Sequence, residues 1–519
     1  GVSFRHQPLV GKVFIKASPP SLEDNVGDQE RLLREIRRQK DGLPVQMGLK
    51  VLQGLPELLR RADWQVTATL ALRGGVCELV QVEPGECQRN FGVAVDVGTS
   101  TVVAHLVDLA TSRTLDAEAC YNAQSRFGEE ITRRIIYAER GGMKELHEVV
   151  IEDVNRLISV LISRNAVDLK DVTAVVCAGN TAMQHFVFGL DPAALRKGPY
   201  VPVSTSPPPV RAAEVGIKIN PRGLLYTVPS IGGWVGGDIT AGILATGLHQ
   251  GEQLTMFVDI GTNGEIVLGN KEWMLACSTS AGPAFEGSGV RSGMRAGHGA
   301  IERVEITPQG HVHYQVIGGT KPEGICGSGL IDLLAELAKA GVIDRSGQLK
   351  PNSSSRVRER NGLPEFVVAP GERTAGGEDI VLSQADIENL LRAKAAVYAG
   401  ADILLSSVGL EFSGVERLLV AGGFGNYLDR QHAVLLGLLP DIPMDRIRFV
   451  GNTAIMGAKL SLLSADALEQ AHSASRGVTY FDLISYPNYY DDFMSAKFIP
   501  HTEGGRFPSV IPRLKEASF

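Results

Sequence analysis

The run Phe91-Gly-Val-Ala-Val-Asp96-Val-Gly98-Thr99-Ser100-Thr101-Val-Val-Ala104 decides how this chain is read. A β-branched apolar run stops at Asp-x-Gly-Thr-Ser-Thr and resumes at once, which predicts strand, tight turn and strand. Glycine lets the backbone turn and approach a ligand, while Thr and Ser supply hydroxyl and amide donors. A carboxylate at the mouth of such a turn suits a hydrated magnesium ion. One such hairpin is a common turn. The informative fact is that it recurs: Phe257-Val-Asp259-Ile-Gly261-Thr262-Asn263-Gly264-Glu265-Ile-Val-Leu268 has the same grammar. Two hairpins of this kind predict a duplicated phosphate clamp.

Composition sets the frame. A chain of 519 residues is long enough for more than one domain with large cores. Hydrophobic content of 44% and charged content of 21% are ordinary for a globular protein. A net charge of −7 argues against a nucleic-acid scaffold. No run approaches twenty apolar residues and residues 1–10 lack an apolar signal core, so no membrane partner is expected and a cytoplasmic location is. The six cysteines, Cys77, Cys87, Cys120, Cys177, Cys277 and Cys326, include no CxxC pair. They are expected to be reduced thiols rather than zinc or iron–sulfur ligands.

Along the chain, residues 1–88 read as a separate small unit. A strand over 10–17 precedes helices over 29–40 and 47–61, and strands over 64–72 and 76–82 pair across Arg73-Gly-Gly75. The chain opens almost inside a strand, as a fragment of a longer protein would. From Asn90 strands alternate with helices, one of them predicted over 128–140. A buried strand ends in Gly179-Asn180-Thr181, and Arg448-Phe-Val-Gly451-Asn452-Thr453-Ala454 echoes it. Gly236-Gly237-Asp238 opens a helix, residues 346–376 read as polar loop, and 384–407 as a long helix. Leu418-Leu-Val-Ala-Gly422-Gly423-Phe424-Gly425 is a strand running into a glycine turn. The repeat of hairpin and Gly-Asn-Thr-Ala strand predicts a duplicated α/β unit, with a nucleotide cleft between its halves.

Two Asp-x-Gly-Thr hairpins, two Gly-Asn-Thr segments and a late Ala-Gly-Gly turn resemble the actin, sugar-kinase and heat-shock-chaperone ATPase superfamily. The resemblance covers roughly residues 90–500. Arg126-Phe-Gly-Glu-Glu130-Ile, Gly282-Pro-Ala-Phe-Glu-Gly287, Gly324-Ile-Cys-Gly-Ser-Gly-Leu-Ile-Asp332 and Ala393-Lys394-Ala-Ala396 resemble one branch, the ATP-dependent reductive activators of corrinoid proteins. The implied fold is α/β, with duplicated actin-like (ribonuclease H-like) ATPase lobes and a small N-terminal α/β domain. Residues 89–228 would form the first lobe, completed by 455–519, and 229–454 the second. Residues 1–88 would be the family's middle domain, with a role in forming a homodimer. The family's 2Fe-2S cluster is expected only on a ferredoxin-like domain preceding this sequence. The implied task is ATP-driven reduction of a Co(II) cobamide to Co(I). The cobamide would sit on a partner, a corrinoid iron–sulfur protein or a methyltransferase corrinoid subunit.

Asp96 and Asp259 are the candidate Mg²⁺ residues, acting through water. Gly98, Thr99, Ser100 and Thr101, with Gly261, Thr262, Asn263 and Gly264, would wrap the β- and γ-phosphates of ATP. The resemblance implies that Gly422 and Gly423 let adenosine lie against the backbone. Gly282 and Gly327, at helix starts, are further candidates for the nucleotide, and Lys394 would reach it from the preceding helix. Asp238 stands where glycerol-kinase-like members carry their catalytic aspartate, and would orient or deprotonate the attacking water. Its rival role is a helix cap. Gly179-Asn180-Thr181 and Gly451-Asn452-Thr453 read as hinge and capping elements. Three other functions use the same clamp: a carboxylate or sugar kinase, the activator ATPase of a 2-hydroxyacyl-CoA dehydratase, and a chaperone-like binding module.

Overall fold

Strands β1 (Val10–Lys16), β2 (Val45–Met47), β3 (Gln65–Arg73) and β4 (Val76–Pro84) form a sheet in the order β1-β3-β4-β2. The expected turn Gly74-Gly75 joins β3 to β4 with φ of 57° and 83°, the left-handed pair that a two-residue hairpin needs. Helices α1 (Asp28–Gln39) and α2 (Leu49–Arg61) bury Leu32, Ile36, Leu55 and Leu59 in one core with Val13, Ile15 and Val66. The computed structural model describes residues 3–40, 42, 44–424 and 427–514. Its chain divides into two units, residues 1–245 with 454–476, and 246–453 with 477–519. No helix among the described residues is long and apolar enough to cross a membrane.

The small domain is not separate. Leu9, Val10, Ala71 and Val80 share one core with Ala94, Ala174 and Tyr226 of the first lobe. The Tyr226 hydroxyl donates to the Leu72 carbonyl at 2.7 Å.

The first lobe's sheet contains β5 (Phe91–Val97), β6 (Thr101–Asp108), β7 (Thr114–Tyr121), β8 (Val172–Gly179), β9 (Val210–Arg211) and β10 (Leu224–Thr227). The order is β7-β6-β5-β8-β10-β9, with β5, β6 and β7 an antiparallel meander and β8 parallel to β5. Strand β8 is buried at every residue, which explains its unbroken Val-Thr-Ala-Val-Val-Cys-Ala run. Helices α3 (Ile131–Tyr137), α4 (Met143–Arg164), α5 (Thr181–Phe188) and α6 (Gly237–Thr246) belong to the same unit. Gly141, at φ 97°, ends the helix predicted over 128–140 in a five-residue π turn.

The second unit repeats the meander as β11 (Thr255–Ile260), β12 (Gly264–Gly269) and β13 (Met274–Thr279). Two small sheets follow: β14 (Ala300–Ile306), β15 (Val312–Val316) and β16 (Gly324–Ile325), then β17 (Val357–Arg360), β18 (Leu363–Ala369) and β19 (Ile380–Ser383). Strand β20 (Arg417–Gly422) lies parallel to β11, β21 (Ile447–Gly451) parallel to β20, and β22 (Val478–Tyr480) parallel to β13. The remaining helices are α7 (Gly327–Lys339), α8 (Gln384–Ser406), α9 (Arg430–Leu436), α10 (Thr453–Leu463), α11 (Ala465–Gly477) and α12 (Tyr489–Ala496).

Three expectations need correction. Residues 346–376 carry β17 and β18 rather than loop alone, because the Val-Arg-Glu-Arg of an edge strand conceals its period. The first unit runs on to residue 245 and regains only 454–476, so the tail from 477 onward belongs to the second unit. Finally, the strand equivalent to β8 is β20, since each lies parallel beside the first strand of its meander. Gly451-Asn452-Thr453, at the end of β21, therefore lies one strand further out than the Gly179-Asn180-Thr181 it resembles.

Lys394 ties the tail to the second unit. It is fully buried in α8, and its Nζ donates to the carbonyls of Phe498 and, at 2.7 Å, of Pro500. Burial, with Arg345 nearby, holds its pKa well below the ordinary lysine value. The expected role of Lys394 at the nucleotide is corrected accordingly: its amine is engaged inside the fold. Lys394→Met would keep the side chain's length and leave two buried acceptors without a donor. The expected loss is roughly 2–4 kcal/mol, read as a lower urea midpoint at unchanged m-value. An unaltered midpoint would refute this anchoring role.

Candidate functional site

The first Asp-x-Gly-Thr turn is held from behind by three side chains. Arg134, fully buried, donates to the Thr99 carbonyl at 2.7 Å, to the Gly128 carbonyl at 2.8 Å and to Gln124 Oε1 at 3.1 Å. Asn122 Nδ2 donates to the Gly98 carbonyl and Asn180 Nδ2 to the Thr99 hydroxyl, each at 2.9 Å. The Gly98 amide donates to the Thr101 carbonyl at 3.0 Å and closes the turn. Peptide planes whose carbonyls are fixed this way keep their orientation, as an anion-binding turn requires.

Asn180 does two things at once. Its side-chain oxygen accepts from the Met183 amide at 2.9 Å and caps α5, as expected, while its amide group reaches Thr99. A Cβ on Gly236 would stand 2.3 Å from the Asn180 Cα, so the Gly236-Gly237-Asp238 turn packs directly on this segment. Asp238 is the second residue of α6, and its Oδ1 accepts from the Ile239 amide at 2.9 Å. Burial pushes its carboxyl up to about 6, against the pull of the Ile239 amide and its own. A carboxyl with that property, beside a phosphate-type turn, can take up and release a proton near neutrality.

In the second unit, Asp259 on β11 pairs with Glu265 on β12 and with Ala421 on β20. Directly opposite residues share a face of the sheet, and Glu265 Oε1 also accepts from the Ser278 hydroxyl at 3.3 Å. Oxygen ligands set this way fit Mg²⁺. In the first unit Asp96 instead faces Val103 and Ala178. The Gly261 amide donates to the Asn263 carbonyl at 2.9 Å. Thr262 Oγ1 donates to Glu286 Oε2 at 2.6 Å, which joins this turn to the Gly282–Gly287 segment.

Gly422 ends β20 with φ 145°, paired with Ile260. Gly423 follows, exposed and with open space beside it. Gly282, at φ 78°, opens the short turn Pro283–Glu286 and also faces open space. Gly327 differs. It is buried, and a Cβ there would stand 2.1 Å from the Phe285 carbonyl. Packing of Phe285 and Phe424 around the start of α7 therefore accounts for this glycine, and the Ser328 amide donates to the Phe424 carbonyl at 3.1 Å. Gly425 of the quoted turn lies outside the described residues.

Arg134, Asn122 and Glu286 are the site residues that sequence reading does not reach. Their partners lie 24 or more residues away in sequence for each of the bonds that matter, Arg134 to Thr99, Asn122 to Gly98 and Glu286 to Thr262. The available signal is the family motifs themselves, since Arg126–Ile131 precedes Arg134 and Gly282–Gly287 contains Glu286.

Residues 2–89 match the RACo linker region, 91–251 the RACo middle region, and 253–511 the C-terminal domain of RACo, the ASKHA domain. The small N-terminal domain thus corresponds to the linker region, which corrects its expected assignment to the middle domain. The chain is 34% identical over 414 residues to the corrinoid activation enzyme RamQ of Eubacterium limosum, covering 78% of this chain and 69% of the relative. It is 25% identical over 422 residues to the Co(II) methylated amine-specific corrinoid protein reductase of Methanosarcina barkeri, covering 75% and 73%. Among solved structures it is similar to a reductive activator for corrinoid, iron–sulfur protein, with 43% identity, a TM-score of 0.95, and coverage of 98% of this chain and 82% of that one. Carrying both Asp-x-Gly-Thr turns on a fold matched from end to end, the chain belongs to the RACo family.

Proposed function

We propose that this chain is an ATP-driven reductive activator of a corrinoid protein. The observation that supports the reading is the agreement, across 98% of the chain, with a reductive activator for corrinoid, iron–sulfur protein. One electron converts the partner's Co(II) cobamide to Co(I), while ATP and water give ADP and phosphate. The electron would come from a 2Fe-2S centre on a ferredoxin-like domain. The partner is a corrinoid iron–sulfur protein or a methyltransferase corrinoid subunit, and the activator acts as a homodimer in the cytoplasm.

In this reading the main-chain amides and hydroxyls of Gly98–Thr101 and Gly261–Gly264 bind the phosphates. Asp96, and Asp259 beside Glu265, hold hydrated Mg²⁺, which neutralises phosphate charge when bound. Gly422 and Gly423 receive the adenosine, with Gly282 at the neighbouring turn. Asp238 orients the attacking water or accepts its proton. Nucleotide can drive the partner reaction only by binding the activator's conformations unequally, so ATP and ADP must differ in what these turns hold.

The deciding measurement follows Co(II)-to-Co(I) conversion in candidate corrinoid proteins, using a low-potential reductant and the full-length activator, with and without ATP and Mg²⁺. Faster or more complete reduction with ATP is expected. Reduction that ignores ATP with every partner would sink the proposal. A second test concerns Asp238. Because a base must be ionised to act, turnover should fall as pH drops through about 6. Asp238→Asn should lower kcat for ATP hydrolysis by roughly 10²–10⁴-fold, abolish that pH limb and leave nucleotide affinity unchanged. Wild-type turnover in the folded variant would remove Asp238 from the mechanism.

A further inference from the structure

Helix α7 holds Phe424, just after β20, and the first turn of α9. At the first of these the Ser328 amide donates to the Phe424 carbonyl at 3.1 Å. At the second, His432, two residues into α9, sits between two carboxylates of α7. Its Nδ1 is 2.7 Å from Asp332 Oδ1 and its Nε2 is 3.1 Å from Glu336 Oε1. Asp332 and Glu336 are both about 97% buried and one helical turn apart, where like charges repel. The His432 ring stands between them and bonds to both.

The surrounding partners complete the set. Asp332 Oδ2 accepts from the Val304 amide at 3.2 Å, and Glu336 Oε2 from the Ile306 amide at 2.9 Å. Lys339 donates to Glu336 Oε1 at 2.6 Å. Asp429 caps α9 through the Gln431 and His432 amides at 2.8 and 3.1 Å, and accepts from the Tyr427 hydroxyl at 2.9 Å. The Arg303 guanidinium lies 3.7 Å over the Tyr427 ring. Asp332, Asp429 and His432 have the spacing of metal ligands, but each carboxylate oxygen among them already has a protein donor. A protonated histidine fills the position.

We propose that His432 is a positioning residue of the nucleotide site, clamping α9 onto α7, the helix that also holds Phe424, so that Gly422-Gly423 is kept in its nucleotide-binding place. The inference rests on the reading that this segment binds ATP. Burial would lower the His432 pKa, but hydrogen bonds to Asp332 and Glu336 outweigh it and raise it from 6.5 to about 9. Burial would raise Glu336, yet hydrogen bonds from His432 and Lys339 hold it near 2. A raised histidine contributes fully below its ordinary pKa of 6.5 and is lost as pH rises through about 9. A lowered carboxylate contributes above its ordinary value and is lost only as pH falls through about 2. The clamp therefore opens on the alkaline side.

The test is calorimetric titration of the full chain with a non-hydrolysable ATP analogue and Mg²⁺, from neutral pH to above 9, on wild type, His432→Gln and His432→Lys. Wild-type affinity should fall as pH passes about 9. His432→Gln should bind about tenfold more weakly at neutral pH, as expected if the competent segment is populated about a tenth of the time, and should show no alkaline loss. In steady-state ATP hydrolysis its KM should rise while kcat is retained, and His432→Lys, which keeps a cation, should recover affinity. A folded His432→Gln with wild-type affinity, or a wild-type affinity flat across that pH range, would overturn the clamp. Absence of nucleotide binding by wild type at every pH would instead overturn the ATP reading on which the clamp rests.

Discussion

Where β11 meets β20, a Cβ on Gly422 would stand 2.4 Å from the Ile260 carbonyl, so only glycine lets the two backbones approach this closely. That contact places the proposed adenosine turn beside the strand that ends in the second phosphate turn. The first unit has the same constraint. A Cβ on Gly179 would stand 2.7 Å from the Val97 carbonyl, which brings Asn180 within reach of Thr99. A one-residue slip in either strand pair would carry Asp96 or Asp259 to the opposite face of its sheet. The parallel register is therefore what makes a turn into a site, and the glycines are what make the register close enough.

Three buried ionic groups share one arrangement, several partners converging on one side chain. Arg134 reaches two carbonyls and a side-chain amide oxygen, Lys394 two carbonyls, and His432 two carboxylates. Removing one partner from such a set leaves an uncompensated buried group, which costs far more than the intact set contributes. These residues fasten three segments by polar contacts: the first Asp-x-Gly-Thr turn, the tail after residue 496, and the start of α9.

The hairpins were legible because their signals are local. A β-branched run interrupted by Asp-x-Gly-Thr needs nothing distant to form a turn, and Gly74-Gly75 likewise declares its own hairpin. What escaped the sequence was set by distant partners or hidden by surface chemistry. Strand β17 alternates no apolar residues because most of it is exposed. Lys394 looks like a helix-surface lysine until the carbonyls of Phe498 and Pro500 close over it. The echo of Gly179-Asn180-Thr181 in Gly451-Asn452-Thr453 was real as sequence but not as topology, since any strand entering a helix favours glycine followed by a capping residue. The Asn180 bond to Thr99 spans 81 residues and leaves no local trace.

The two halves share topology but not chemistry. The second turn carries Asp259 opposite Glu265, with Glu286 on the Thr262 hydroxyl, a setting rich in oxygen acceptors. The first has one carboxylate at the equivalent place; Arg134 holds its Thr99 carbonyl, and Asn180, on which Asp238's turn packs, holds the Thr99 hydroxyl. Acceptor-rich surroundings favour a cation, whereas a turn with fixed donors favours a phosphate. Two strand ends of similar backbone thus differ in the side chains around them.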